Sequence, residues 1–134
     1  MSSATQTTAA VLLITVSTIA FGGLSLLMQL VRRIPGYLDN PVRRALWTAG
    51  HAHAGVLVLF ALVALLYLDR SDYGDGMRML IRTLLVAAPI LMPLGFFLSV
   101  VRPSDTRPNR LIWLAVAGGI GLVAGTLLLG IGLL

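Results

Sequence analysis

The chain has 134 residues, of which 57% are hydrophobic, 11% are charged and none is Cys. That excludes a compact water-soluble domain, which runs nearer a quarter charged, and a disordered tail; it also excludes disulfides, thiolate metal sites and a covalently attached c-type haem. Ten cationic side chains against five acids give a net charge of +5, and all ten cations are Arg. In so apolar a chain this charge points to juxtamembrane guanidiniums facing lipid headgroups or an anionic cofactor, and not to nucleic acid.

Four apolar stretches, about 9–31, 45–68, 80–101 and 111–134, each reach the roughly 20 residues that a helix needs to cross a hydrocarbon core. They are continuously apolar and too long for barrel strands. The first lacks a basic leader and a cleavage site, so it reads as a span and not as a signal peptide. Loop one follows, with turn signals at Pro35-Gly36 and Asn40-Pro41, and Pro41 is expected at the start of the second helix. The second span carries both histidines of the protein. Loop two centres on residues 69–76. Pro89 and Pro93 fall inside the third span, where each removes a backbone donor and is expected to bend the helix. Loop three, residues 102–110, leads to a Gly-rich fourth span whose Ala117-Gly121-Gly125 spacing favours close helix packing. Gly22 and Gly23 suggest the same for the first span. Trp47 and Trp113, near span ends, read as interface anchors. The expected fold is all-α, a four-transmembrane-helix bundle forming a single domain over 1–134, in a polytopic membrane protein.

Chemistry concentrates in Trp47-Thr48-Ala49-Gly50-His51-Ala52-His53-Ala54-Gly55. An ionisable residue within a span is costly and signals function, and imidazole is the commonest side-chain metal ligand. Residues two apart on a helix point about 200° apart, so His51 and His53 cannot chelate one ion; they look into different neighbouring spaces. Gly50, Ala52, Ala54 and Gly55 are small enough to let a flat tetrapyrrole lie against the helix. A Zn²⁺ or Cu²⁺ site needs further His, Asp, Glu or Cys, and the spans offer none. Haem iron needs one imidazole per face.

The run His51-Ala52-His53-Ala54-Gly55-Val56-Leu57-Val58-Leu59-Phe60 resembles the haem-ligand helices of the catalytic subunit of haem–copper oxidases and nitric oxide reductases. In that family a His-X-His helix serves two haems on opposite faces, and twelve helices form three pseudo-repeats of four, with haem ligands concentrated on the second helix of a repeat. The resemblance covers about ten residues and the helix count. It implies one four-helix repeat, His51 and His53 as axial ligands to haem b iron, and a homotrimer rebuilding the twelve-helix ring, with His51 of one protomer facing His53 of the next. The third span has no His and no Tyr, so the family's copper site is not carried over. A bis-histidine iron without an open position implies electron transfer or haem handling with an unidentified redox partner, and not catalysis.

Around this pair, Gly50 and Gly55 are candidate cofactor contacts and Trp47, one turn before His51, is another. Arg43 or Arg44, or the loop-three Arg, are candidates to pair with haem propionates through bidentate guanidinium contacts. Seven Arg flank loops one and three, which by the positive-inside rule places those loops in the cytoplasm; the resemblance implies the opposite, so both orientations stand. A plasma (inner) membrane location is expected. Two other readings are a non-catalytic structural subunit whose histidines bond across helices, and a small metal-ion carrier.

Overall fold

The computed structural model describes residues 1–134 and contains four long helices and no strand: α1 (Ser3–Val31), α2 (Pro41–Leu68), α3 (Asp75–Leu98) and α4 (Trp113–Ile131), the last entered through a single 3-10 turn over Arg110–Ile112. Each is long and apolar enough to cross a bilayer. The protein is an all-α, multi-pass membrane protein.

The helix ends differ from the apolar spans for local reasons. α1 begins six residues before the expected position, because Ser2 Oγ accepts from the Thr5 N–H at 3.2 Å and caps a polar first turn. Thr7 and Thr8 then donate their hydroxyls to the carbonyls one turn back, at 3.0 and 2.8 Å, and so need no water. α2 begins at Pro41, as expected, with the Asn40 side chain accepting from Arg43 N–H at 3.0 Å. α3 starts five residues early, at Asp75, whose carboxylate complements the positive helix terminus. It also stops early, at Leu98, where Asn109 takes over its last carbonyls. The Asn109 side-chain amide donates to Leu98 O at 3.1 Å and its N–H donates to Ser99 O at 2.9 Å. Pro89 and Pro93 lie inside α3 without ending it, and both rings are buried.

The four helices run up and down. α3 is central, packed on α2 and α4, while α1 leans on α2. Asn40 Nδ2 donates to Pro103 O at 3.0 Å and to Asp105 O at 2.7 Å, so loops one and three meet at one end. Gly36, at φ +79, permits this approach: a Cβ there would lie 2.6 Å from Pro103 Cβ. At the other end Asp72 N–H donates to Gly132 O, and Ser2 meets Asp69, gathering both termini beside loop two. The core lies toward that end, where Leu12, Val58, Ala61, Leu65, Leu68, Ile81, Leu85 and Leu129 interlock.

Glycines form the α3–α4 seam. Gly118 lies on Met92 and Gly125 on Leu84 and Leu85, each too close for a Cβ without displacement. Of the small residues singled out in the fourth span, Gly121 and Gly125 face α3, but Ala117 points outward and Gly118 takes its place. Two helical turns span 7.2 residues, so 118 and 125 stay on one stripe.

α1 is held differently. Only 6% of its most apolar window is buried inside the protein. Its start is tied to Asp69, whose carboxylate accepts from the Ser2 N–H, from Thr5 Oγ1 at 2.9 Å and from Ser2 Oγ at 3.1 Å. Desolvation pulls this carboxyl upward, but the hydrogen bonds and the terminal ammonium 4.0 Å away outweigh it and hold Asp69 below the usual carboxylate range. A depressed value means that the tether is fully present above the ordinary carboxylate pKa of about 4 and is lost as pH falls through the lower folded value. A spin label at position 4 should therefore gain mobility on acidification below about pH 4, and Asp69→Asn should show the mobile spectrum at every pH. A label equally immobile in Asp69→Asn at neutral pH would show that the carboxylate does not anchor α1.

Candidate functional site

His51 and His53 lie ten and twelve residues into α2, about 15 and 18 Å from its start at 1.5 Å per residue. Both are partly buried, in the half of the bundle toward loops one and three. As the helical period requires, they leave α2 in different directions.

His51 faces α1. Its imidazole rests on Gly22 and Gly23: a Cβ at Gly23 would lie 2.8 Å from Nε2 and 2.9 Å from Cε1, and one at Gly22 would lie 3.9 Å from Nδ1. The paired glycines are a notch that fits the ring. One turn further, Gly55 faces Ile19 at 3.9 Å. Gly22 and Gly23 read from sequence only as helix-packing residues; two adjacent glycines in an otherwise bulky apolar run are the signal that marks a seat for a ring.

His53 turns toward α3. Its ring is tilted on Phe96, centroids 5.1 Å apart, and its Nδ1 lies 2.7 Å from the Ala49 carbonyl oxygen. A carbonyl only accepts, so Nδ1 carries a proton, and Nε2 is the ring nitrogen left for a ligand. A backbone carbonyl on one ring nitrogen is the arrangement that orients a metal-bound histidine through the other.

The remaining candidates separate into two groups. Gly50 is used by α3: a Cβ there would lie 3.1 Å from Phe96 Cβ and 3.2 Å from Phe97 Cε2. Trp47 donates its indole N–H to Phe97 O at 3.3 Å and sits between Tyr37 and Phe97, so it is inside the helix contact and is no free interface anchor. Arg43 is buried, stacked 3.9 Å from the Trp47 ring, and donates to Gly36 O and Val101 O at 3.1 and 3.0 Å. These three residues bind α2 to α3 and to loops one and three, and Arg43 is committed to backbone carbonyls. Arg44 is exposed and has no acceptor in the chain. Trp113, 67% exposed at the start of α4, keeps the position of an interface anchor.

No third His or Asp joins either histidine within the chain. The four cavities, of about 250 to 530 Å³, border neither ring. A bare transition-metal ion wants three or four protein ligands, whereas haem iron takes one imidazole on each side. Of the two imidazoles only His53 is held by a hydrogen bond, while His51 has its Nε2 against Gly23 of α1. One imidazole on each side of an iron matches haem better than a bare ion, and His51 would have to leave its seat to ligate. Comparison with protein-family models, with curated proteins and with solved structures found no match to this chain, so the functional reading rests on the histidine helix itself.

Proposed function

We infer that this is a membrane haem-b protein of the plasma (inner) membrane, with His51 and His53 as axial ligands, acting in electron transfer or haem handling. The observation that carries this reading is the His53 ring: Ala49 O accepts from its Nδ1, which leaves Nε2 as the nitrogen for a ligand. One-electron exchange at iron is the chemistry that a bound haem supplies. The chain's own contribution is to fix the imidazoles, exclude water through the surrounding apolar side chains, and offer Arg44 as the guanidinium free to meet a propionate. Because the ligands leave opposite edges of α2, two imidazoles on one iron come from two protomers. A homotrimer, resembling a haem–copper oxidase core without its copper site, closes that arrangement.

A second reading has its own observation. The seat of His51 on Gly22-Gly23 suits a helix-contact residue in a structural subunit of a larger membrane complex. Detergent-purified protein separates the two. The haem reading expects a Soret band, sharp α and β bands on reduction, and a trimer mass by native mass spectrometry. Colourless protein that takes up no added haemin selects the structural subunit, and a monomer keeping bis-histidine spectra refutes the shared ligation.

A further inference from the structure

Arg82 stands seven residues after the start of α3, inside a membrane-crossing helix, and its Nε is buried without a hydrogen bond. The other two guanidiniums with a buried, unbonded Nε have found backbone carbonyls through their terminal nitrogens, Arg43 at Gly36 and Val101 and Arg78 at Ser71. Arg82 has neither a carbonyl nor an acid: the one ion pair in the chain joins the Met1 ammonium to Asp69. A guanidinium rooted inside a span, with a buried Nε and no acceptor in the chain, favours an anion beside it.

Arg82 borders a crevice of about 340 Å³ between α1 and α3, lined also by Thr8, Thr83, Val86, Ala87 and Ile90. Both hydroxyls are spent on their own helices, Thr8 on Ala4 O and Thr83 on Met79 O, so the guanidinium is the polar group left to a ligand. The order of these groups along the membrane normal is informative. The 24 residues of α3 span about 36 Å against a hydrocarbon core of roughly 30 Å, which places the Arg82 backbone about 7 Å below the loop-two surface of that core. Helical side chains lean toward the helix N-terminus, here toward loop two, and a long Arg stem lifts its charge to headgroup level. Val86, Ala87 and Ile90 lie about 6 to 12 Å deeper. The crevice is thus cationic at the headgroup and apolar below it. It stays open because α1 packs on α2 and leaves the flank of α3 uncovered.

We propose that this crevice is a binding site for an anionic phospholipid, with its phosphate on Arg82 and an acyl chain along Val86, Ala87 and Ile90. A guanidinium fork matches phosphate oxygens, and basic pockets between transmembrane helices take anionic headgroups. The site lies on the opposite half of the bundle from the histidines and does not depend on haem. The test is native mass spectrometry of the full chain in detergent, with equal palmitoyl-oleoyl phosphatidylglycerol and phosphatidylcholine, and in a parallel sample with oleate. The protein should retain phosphatidylglycerol over phosphatidylcholine by roughly tenfold, the scale of one charged hydrogen-bonded contact. Arg82→Gln should bring that ratio to about one, while Arg107→Gln, in loop three, should leave it unchanged. Ala87→Phe, which fills the apolar part and keeps the charge, should reduce retention of both lipids. An undiminished preference in Arg82→Gln, undiminished retention in Ala87→Phe, or retention of oleate in place of phosphatidylglycerol would each overturn the proposal.

Discussion

His53→Ala should abolish the low-spin haem spectrum of the purified protein, and His51→Ala should do the same to an equal degree. In a symmetric ring where His51 of one protomer and His53 of the next hold one iron, either substitution removes a ligand from every site. The fold does not oppose either change. Removing a polar ring makes the span more apolar, the Ala49 carbonyl keeps its helical environment, and the notch at Gly22-Gly23 is merely vacated. Gly23→Ala adds a graded test, because it keeps both imidazoles while its Cβ displaces His51 by meeting Nε2 and Cε1. It should perturb the spectrum without removing it. If the two histidines serve separate sites, each alanine variant will lose one class of haem and spare the other, which defeats the shared-iron arrangement. If they only bond or pack between helices, each loss will cost roughly 1 kcal/mol or less and no spectrum will change.

Gly95→Ala should be among the most destabilising single methyl additions in the chain. A Cβ at Gly95 would meet the Ala115 backbone nitrogen well inside van der Waals contact and lie 2.8 Å from Ala115 Cβ. Neither atom is the end of a flexible side chain, so α4 must move as a unit. Overpacking of this kind costs about 1–3 kcal/mol, and Gly95→Leu should exceed it. Gly119→Ala is the matched control on the seam's other helix: nothing lies within 4 Å of its added Cβ, and Ala is the better helix former by about 1 kcal/mol. Denaturant titration in detergent micelles should therefore move the two midpoints in opposite directions. Equal stability of the two variants would show that the α3–α4 contact is looser than the glycine seam requires.

These two predictions draw on different layers of information. The divergence of His51 and His53 follows from two residues of spacing on a 3.6-residue helix, and no neighbour is needed to derive it. The four crossings, the Pro41 start and the Pro35-Gly36 turn of loop one were equally legible, because they depend on local hydropathy and backbone rules. Helix ends were less so. Hydropathy marks where a chain is apolar, whereas α1 and α3 start in polar segments that satisfy themselves through the Ser2 cap, the Thr back-bonds and Asp75.

The identity of each neighbour was not legible at all. Gly50 and Gly55 have the same composition and sit five residues apart, yet one receives Phe96 and Phe97 and the other faces Ile19. Arg43 and Arg44 are adjacent and identical, but one is buried on Trp47 and two carbonyls while the other is exposed. Gly118, and not Ala117, sits on the seam because the rotation of α4 about its axis is set by α3. In a chain this uniformly apolar, the hydrophobic pattern cannot tell a helix face that meets protein from one that meets lipid, since both are nonpolar. By itself the sequence determined that four helices cross the membrane and that two imidazoles diverge from the second. Only the tertiary structure decided what each helix face touches, because close packing, hydrogen bonds to distant carbonyls and ring-into-notch fits depend on how the helices are turned against one another.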